Sequence, residues 1–560
     1  MSACGNIAAQ LPETARRIPF AMAVACPEGA SRAGKLRYSI TNFRDLDRMS
    51  DAVARGLETV GIRRGTRTAL MVKPGLDFFV LTFALFKSGA VPVMIDPGIG
   101  VKSLGACLAQ SEPEAFIGIP KAHLARKLLG WARRSVRVTV TTGRFRWGMT
   151  ATLAELAEAG RSDRPYEPIE PRTDELAAIL FTSGSTGPPK GASYTHPNFQ
   201  AQVEALRADF GIRPGEVDLC TFPLFALFAP ALGMSSVVPD MDASRPARAD
   251  PVRILQAIED FGVTNLFGSP ALIHRVGRWG ASRGVKLPSL RRVISSGAPV
   301  PAAAIERFVS MLEPGAQLWT GYGATEALPV CAMGSDEILG ETRKLTDQGK
   351  GVCVGRPVGG ATVRVIPITE TPYLLWGKDL ELPTGQVGEI AVNGPMVTAQ
   401  YWRMHQATEL AKIPWTEGPA GRQLWHRMGD LGYFDERGRL WFCGRKSHRV
   451  QTPDAPAGEM YTIPCEAVFN THPAVFRTAL VGVRANGKAT PVLCVELDPE
   501  AGRVDEAKVR AELLGIGAAH EHTKPIRTVL FHPGFPVDVR HNAKIGREQL
   551  AVWALERLGG

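Results

Sequence analysis

The sequence predicts an α/β fold in which a large N-terminal domain of helix-covered sheets precedes a smaller α+β domain. Three observations carry that expectation. The chain has 560 residues, more than one hydrophobic core ordinarily serves at about 100–200 residues per domain. From Arg67 onward strand-like and helix-like runs alternate, the pattern of a parallel sheet whose crossovers are helices. After "GRLWFCGRKSHRV" the texture shifts to shorter mixed elements, which puts a boundary near Gly444 and divides the chain into 1–443 and 444–560.

Taken in order, "RTALMVK" reads as a strand, "DFFVLTFALFKSG" as a helix and "AVPVMIDPG" as a strand, and "LGACLAQSEPE" with "AFIGIP" repeats the cycle. The run Phe78–Phe86 is wholly apolar but bounded by Asp77 and Lys87. It falls well short of the roughly 18–20 residues a membrane helix requires, so a buried helix is expected. Further on, "PVRILQAIEDFGVTNLFGSPALIHRV" gives a helix ending at Gly262 and a short strand, and "RRVISSGAPVP" another strand. Sheets of this kind hold ligands in the loops at the carboxyl ends of their strands. Beyond the boundary we expect a helix around Glu466–Asn470, strands in "RTALVGV" and "PVLCVELDP", a helix in "VDEAKVRAELLG" and a terminal helix in "REQLAVWALERL".

Composition narrows the classes. With 45% hydrophobic and 21% charged residues the chain has globular usage, and disorder is not expected. The start "MSACGNIAAQLPETARR" lacks the basic, apolar and small-residue regions of an export signal, so a cytoplasmic, non-membrane-spanning protein is expected. Nine cysteines, Cys4, Cys107, Cys331 and Cys494 among them, are scattered with no CxxC pair or metal-ligand spacing, which reads as reduced, mostly buried thiols. The net charge is +10. Lys121–Arg146 concentrates it, with Lys127, Arg133, Arg134, Arg137 and Arg144 and no acid. A nucleic-acid or acidic-membrane patch is one reading of this run, but no nucleic-acid motif accompanies it, so a solvated basic face or a protein docking surface is preferred and no nucleic-acid partner is expected.

The stretch "ILFTSGSTGPPKGASYTH", Ile179–His196, is the richest in chemistry. A loop of glycines and hydroxyls lets backbone N–H groups surround an anion. It is not a Walker loop. Lys190 follows Pro188 and Pro189 and precedes "GASYTH", so neither the N–H groups nor an adjoining helix start is on offer. It is instead a hydroxyl-lined loop with one mobile charge.

These residues resemble the phosphate loop of the adenylate-forming superfamily, which includes acyl-CoA ligases, peptide-synthetase adenylation domains and luciferases. "SSGAPVP" resembles its adenine-side strand, "GYGATE" its aromatic and acidic segment, "MGDLGYFDERGRLWFCGRK" its ribose and hinge segment, and "DVRHNAKIGRE" its C-terminal lysine loop, in the family's order. The resemblance implies ATP and Mg2+ as cofactors and a small mobile C-terminal domain carrying the catalytic lysine. It places Thr182, Ser183, Gly184, Ser185, Thr186, Gly187 and Lys190 on the β- and γ-phosphates, Thr325 on the α-phosphate and Glu326 on the metal. Gly297, Ala298, Pro299 and Tyr322 would flank the adenine, with Gly323 in the same nucleotide-binding segment. Asp430 would accept the ribose hydroxyls with Arg445 beside it, and Lys544 would bridge the substrate carboxylate and the α-phosphate. Lys544, Lys190, Thr325 and Glu326 are thus the expected catalytic set, while His196 and His274 are expected to be structural.

The chain departs from the CoA ligases at Ser447, at Pro453 and Pro456 in "TPDAPAGEMYTIPCE", and at Ala226 where a histidine is common. With the contexts "FPLFALFAPALGMSSVVPDMD" and "FPVDVRHNAKIGREQLAVWA", these departures closely resemble the olefin β-lactone synthetases of bacterial long-chain hydrocarbon biosynthesis. That branch implies a 2-alkyl-3-hydroxy fatty acid substrate, lactone closure by its own β-hydroxyl, and a multi-enzyme assembly with neighbouring enzymes. The alternative is a long-chain fatty acyl-CoA ligase or fatty acyl-AMP ligase.

Overall fold

The computed structural model describes residues 5–30, 34–181, 188–222, 225, 227–419, 424–485, 488–537 and 544–559. A seven-stranded sheet holds, in spatial order, Ala151–Thr152, Val138–Thr141, Ala115–Gly118, Arg67–Met71, Val91–Ile95, Leu176–Phe181 and Gly191–Thr195. All neighbours are parallel except the last pair, a hairpin. The helix Leu76–Lys87 is apolar on every side because every residue from Phe78 to Lys87 is buried. Lys87 reaches that depth by pairing with Asp47 at 2.5 Å and Asp51 at 2.6 Å, as a buried ammonium must.

A fourteen-stranded sheet forms the rest of the large part. Its parallel half contains Ser235–Val237, Val217–Cys220, Asn265–Phe267, Arg292–Ser296 and Gln317–Ala324. An antiparallel half then continues through Ala327–Gly334, Val352–Pro357, Leu440–Arg445, Leu424–Phe434, Gly388–Asn393 and Thr362–Ile366.

The C-terminal part has its own three-stranded sheet, Val475–Ala485, Lys488–Leu497 and Thr528–Phe531. Its helices are Thr462–Phe469, Glu506–Ala518 and Arg547–Arg557. Phe469, Leu480, Leu493 and Leu513 form one core there, and Val483, Val492, Leu550 and Ala554 another. The α/β class, with a large sheet-rich N-terminal part and a smaller C-terminal one, is as the sequence predicts. One helix differs: the one expected at Glu466–Asn470 begins at Thr462, with Pro464 in its first turn, where a missing N–H costs nothing. The strand Leu440–Arg445 belongs to the large sheet, so a boundary at 443/444 falls inside it. The two parts touch where Arg278 pairs with Glu500 and His274 packs edge-on against Phe476 at 6.0 Å. Among the described residues no cysteines are bonded to each other, and all but Cys26 are buried. No helix among them is long and apolar enough to cross a membrane.

Candidate active site

Two hairpins from different sheets meet at the candidate site. In the first, Leu176–Phe181 and Gly191–Thr195 pair from Leu176 opposite Thr195 to Phe181 opposite Gly191, so Lys190 stands at the foot of the returning strand. The expected phosphate residues Thr182, Ser183, Gly184, Ser185, Thr186 and Gly187 lie outside the described residues. A helix does follow, His196–Ala208, with a Thr195/Asn198 capping box that the reading of "GASYTH" missed. The intervening strand keeps its N-terminus away from the loop.

In the second hairpin Ala324 faces Ala327, which leaves Thr325 and Glu326 as its two-residue turn, directly after Tyr322 and Gly323. The same strand pairs in parallel with Arg292–Ser296, Ser296 opposite Gly321. That pairing brings Gly297, Ala298 and Pro299 to the sheet end that Tyr322 occupies. Gly297 has φ +97°, a left-handed value that favours glycine at this strand exit. The hairpins are tied by the buried Tyr194, whose hydroxyl donates to the Thr325 carbonyl.

Glu326 is a buried carboxylate that accepts a hydrogen bond from the Tyr401 hydroxyl at 2.6 Å. Lys190 Nζ lies 5.1 Å from the centroid of the Tyr401 ring, so one side chain touches both predicted groups. Burial, then the Glu326 charge, pushes the Tyr401 phenol far up, which keeps it a donor. The Glu326 carbonyl accepts from Thr398 N at 2.9 Å and Thr398 Oγ1 at 3.2 Å, and the Thr398 carbonyl accepts from Lys412 Nζ. Burial pulls Lys412 down to about 7, against the opposing pull of Glu326. His426, buried nearby, is held well below the usual imidazole range by burial first and then by Lys412, with Lys190 and Arg445 adding to it.

Asp430 and Arg445 face each other on neighbouring strands. Tyr322 donates to Asp430 Oδ2 at 2.8 Å, and Arg445 Nε lies 3.1 Å from Oδ1. That ion pair is close but not aligned, since Oδ1 is buried and accepts no hydrogen bond. A buried anionic oxygen is thus left with an acceptor site to fill. Burial raises the Asp430 carboxyl, against the charge of Arg445, the Tyr322 hydrogen bond and the charge of Lys544. The influence of Lys544 on Asp430 brings the C-terminal part to the same place, although residues 538–543 before it lie outside the described residues.

The structure therefore gathers Lys190, Tyr322, Thr325, Glu326, Asp430, Arg445 and Lys544 around one region. Tyr194, Tyr401, Lys412 and His426 belong there too and were missed, because no motif or spacing marks them. His196 accepts from Ile7 N at 3.2 Å and is held down to about 4 by burial, a structural place. His274 sits between the two parts of the chain. Among the departures, Ser447 lies in a single turn at Lys446–His448, and Pro453 and Pro456 lie between the short paired strands Val450–Gln451 and Glu459–Met460. Ala226 is outside the described residues.

Arg445 and Lys544 beside the open acceptor of Asp430, with Lys190 over the Tyr401 ring that binds Glu326, suit a nucleoside polyphosphate whose ribose hydroxyls reach Asp430. The fold and site define an ATP-dependent adenylate-forming enzyme. Residues 14–402 match the AMP-binding enzyme family. The chain is 49% identical over 558 residues to the olefin β-lactone synthetase of Xanthomonas campestris pv. campestris, covering 100% of this chain and 99% of that one. It is 50% identical over 556 residues to that of Stenotrophomonas maltophilia, covering 99% and 98%. In fold it is similar to ATP-bound MatB from Rhodopseudomonas palustris, with a TM-score of 0.76 at 23% identity over 99% of each chain. The chain belongs to the AMP-binding enzyme family, in the branch of the olefin β-lactone synthetases.

Proposed function

We propose that the enzyme uses ATP to convert a 2-alkyl-3-hydroxy fatty acid into a β-lactone, AMP and pyrophosphate, in long-chain olefin biosynthesis. The observation that carries this reading is identity at 49% and 50% of positions, across nearly the entire chain, with two relatives of that name. The acyl-CoA ligase alternative is the less supported of the two.

A carboxylate is a poor electrophile, and its charge opposes approach to a triphosphate, so catalysis is chiefly neutralisation and positioning. Lys190 and the loop 182–187 would hold the β- and γ-phosphates, Gly297, Ala298, Pro299, Tyr322 and Gly323 would enclose the adenine, and Asp430 with Arg445 would hold the ribose. Lys544 and Thr325 would meet the α-phosphate as a carboxylate oxygen bonds to phosphorus and pyrophosphate leaves. The β-hydroxyl oxygen then attacks the acyl carbon and expels AMP with loss of a proton. An internal nucleophile gains from proximity, with effective molarities that reach about 10⁵ M or more.

Glu326 is the residue we assign to Mg2+, which neutralises phosphate charge when bound. A lone carboxylate suits an ion that takes its other ligands from phosphates and water. For the apolar tails we assign the aromatic wall of Phe222, Phe225, Phe228 and Phe267, where Phe225 stacks on Phe267 at 4.6 Å. Residues 444–560 would act as the lid that carries Lys544. The enzyme would work in the cytoplasm, assembled with the enzymes that make the hydroxy acid and consume the lactone.

The test is incubation of enzyme, ATP and a 3-hydroxy fatty acid with and without coenzyme A. A CoA-independent product one water lighter than the acid, lost in Lys544→Ala, is expected. A thioester formed only with coenzyme A would overturn the reading.

A further inference from the structure

Residues 115–154 contain eight lysines and arginines and no aspartate or glutamate. The structure adds what the charge count cannot show, an apolar surface among those cations. The helix Pro120–Leu129 buries Ala122 and His123 against the small sheet, with His123 Nε2 2.9 Å from the Val140 carbonyl. Its other face is left to water, with Leu124 59%, Leu128 75% and Leu129 52% exposed. Leu124 and Leu128 are one helical turn apart and share that face. The loop after the strand Val138–Thr141 returns beside this helix, Lys127 Nζ lying 3.5 Å from the Trp147 carbonyl. It presents Phe145, 68% exposed, and Trp147, 73% exposed, packed edge to face at 6.3 Å.

Single exposed apolar residues are ordinary in soluble proteins, but five large ones on one helix and the loop beside it mark a contact surface. Lys121, Lys127, Arg133, Arg134, Arg137 and Arg144 are all exposed around it. The two acids that flank this segment are already paired, Glu114 with Arg67 at 3.1 Å and Glu155 with Arg146 at 2.8 Å.

We propose that this face docks on an anionic lipid bilayer. Leucines and aromatic rings ringed by unopposed cations, on a short helix held flat against the domain, make the composition of an interfacial anchor. A protein partner would demand acids placed to match each cation. A bilayer with acidic headgroups supplies diffuse negative charge and an apolar layer a few ångströms below it. Docking of this kind is peripheral, and it is independent of which acid the enzyme activates.

The test is co-sedimentation of the full chain, without ATP or acid, with vesicles of phosphatidylcholine alone or mixed in equal parts with phosphatidylglycerol. Binding to the mixed vesicles only, weakened by salt, is expected. Each basic residue near such a surface is worth about fivefold in affinity, so Arg133→Gln/Arg134→Gln should weaken binding by roughly 25-fold. Leu128→Glu/Trp147→Glu should abolish it. Both pairs change exposed positions, and unchanged melting temperatures establish that they are folded. Wild-type protein that stays in the supernatant with mixed vesicles, or variants that sediment as well as wild type, would overturn the proposal. So would a wild type that binds neither kind of vesicle while these variants change its oligomeric mass, which would assign the face to protein docking.

Discussion

Tyr401 joins Glu326 to Lys190: its hydroxyl donates to the carboxylate at 2.6 Å while Lys190 Nζ sits 5.1 Å from its ring centroid. The bond fixes one carboxylate oxygen and leaves the other for the metal that Glu326 would hold. Tyr401→Phe keeps the ring and removes only that bond. A hydrogen bond to a charged group is worth about 1.5–3 kcal/mol, so acid-dependent pyrophosphate release should fall about tenfold or more, with a higher Mg2+ requirement. Titrating Mg2+ in both enzymes checks this, and identical curves would remove Tyr401 from the site.

Tyr322 and Asp430 give a pH prediction. The carboxylate form of Asp430 is the one that would accept ribose hydroxyls, and burial already raises its carboxyl. Tyr322→Phe removes a donor that favours the charged form. Asp430 then takes up its proton at a higher pH, so activity is lost earlier on acidification. Roughly tenfold weaker ATP binding at neutral pH should accompany that shift. The KM for ATP measured across pH in both proteins tests it, and an unmoved acid limb would contradict it.

Much of this site was legible because its parts are short and contiguous. Lys190 and the segments 297–299 and 322–326 carry their chemistry at strand ends or in a single turn, where residue type alone is informative. Tyr401 was not, since its partner Glu326 is 75 positions away and the segment around it has no regular periodicity. Lys412 was hidden for the opposite reason. It begins a short strand, Lys412–Pro414, and a lysine there reads as solvated until the burial around it is known. The fold shows the same division. The helix Leu76–Lys87 announces itself locally, whereas the pairing of Met22–Ala30 with Ser235–Val237 joins segments about two hundred residues apart that leave no local mark on each other.

Lys412 also predicts how stability depends on pH. In the unfolded chain its ammonium keeps its proton up to the ordinary value of 10.5, and in the fold only up to about 7. Between those values the unfolded state binds more protons, so this residue's contribution to stability rises with pH across that window and is flat below it. The slope is at most about 1.4 kcal/mol per pH unit. Lys412→Met abolishes this contribution. From about pH 6 to about pH 9 the wild type should therefore gain more melting temperature than the variant. Parallel profiles would mean that Lys412 is charged in the folded protein.

Gly444 sets the passage from the large sheet into the C-terminal part. Its φ is +121°, and a Cβ there would lie 2.5 Å from Thr462 Oγ1, at the start of the helix Thr462–Phe469. Gly444→Ala thus meets two separate obstacles, a backbone conformation that L-residues avoid and a clash with the helix that seats this part of the chain. Strain of about 1–3 kcal/mol is expected. Because seating carries Lys544 toward Asp430, acid-dependent pyrophosphate release should fall roughly tenfold, with ATP affinity changed by no more than about twofold. Adding Thr462→Ala removes the clashing atom but not the backbone strain, so the double variant should recover only part of the loss. Full activity in Gly444→Ala would show that the glycine conformation is not needed for the C-terminal part to reach the site, whereas full recovery in the double variant would place the whole cost in the contact with Thr462.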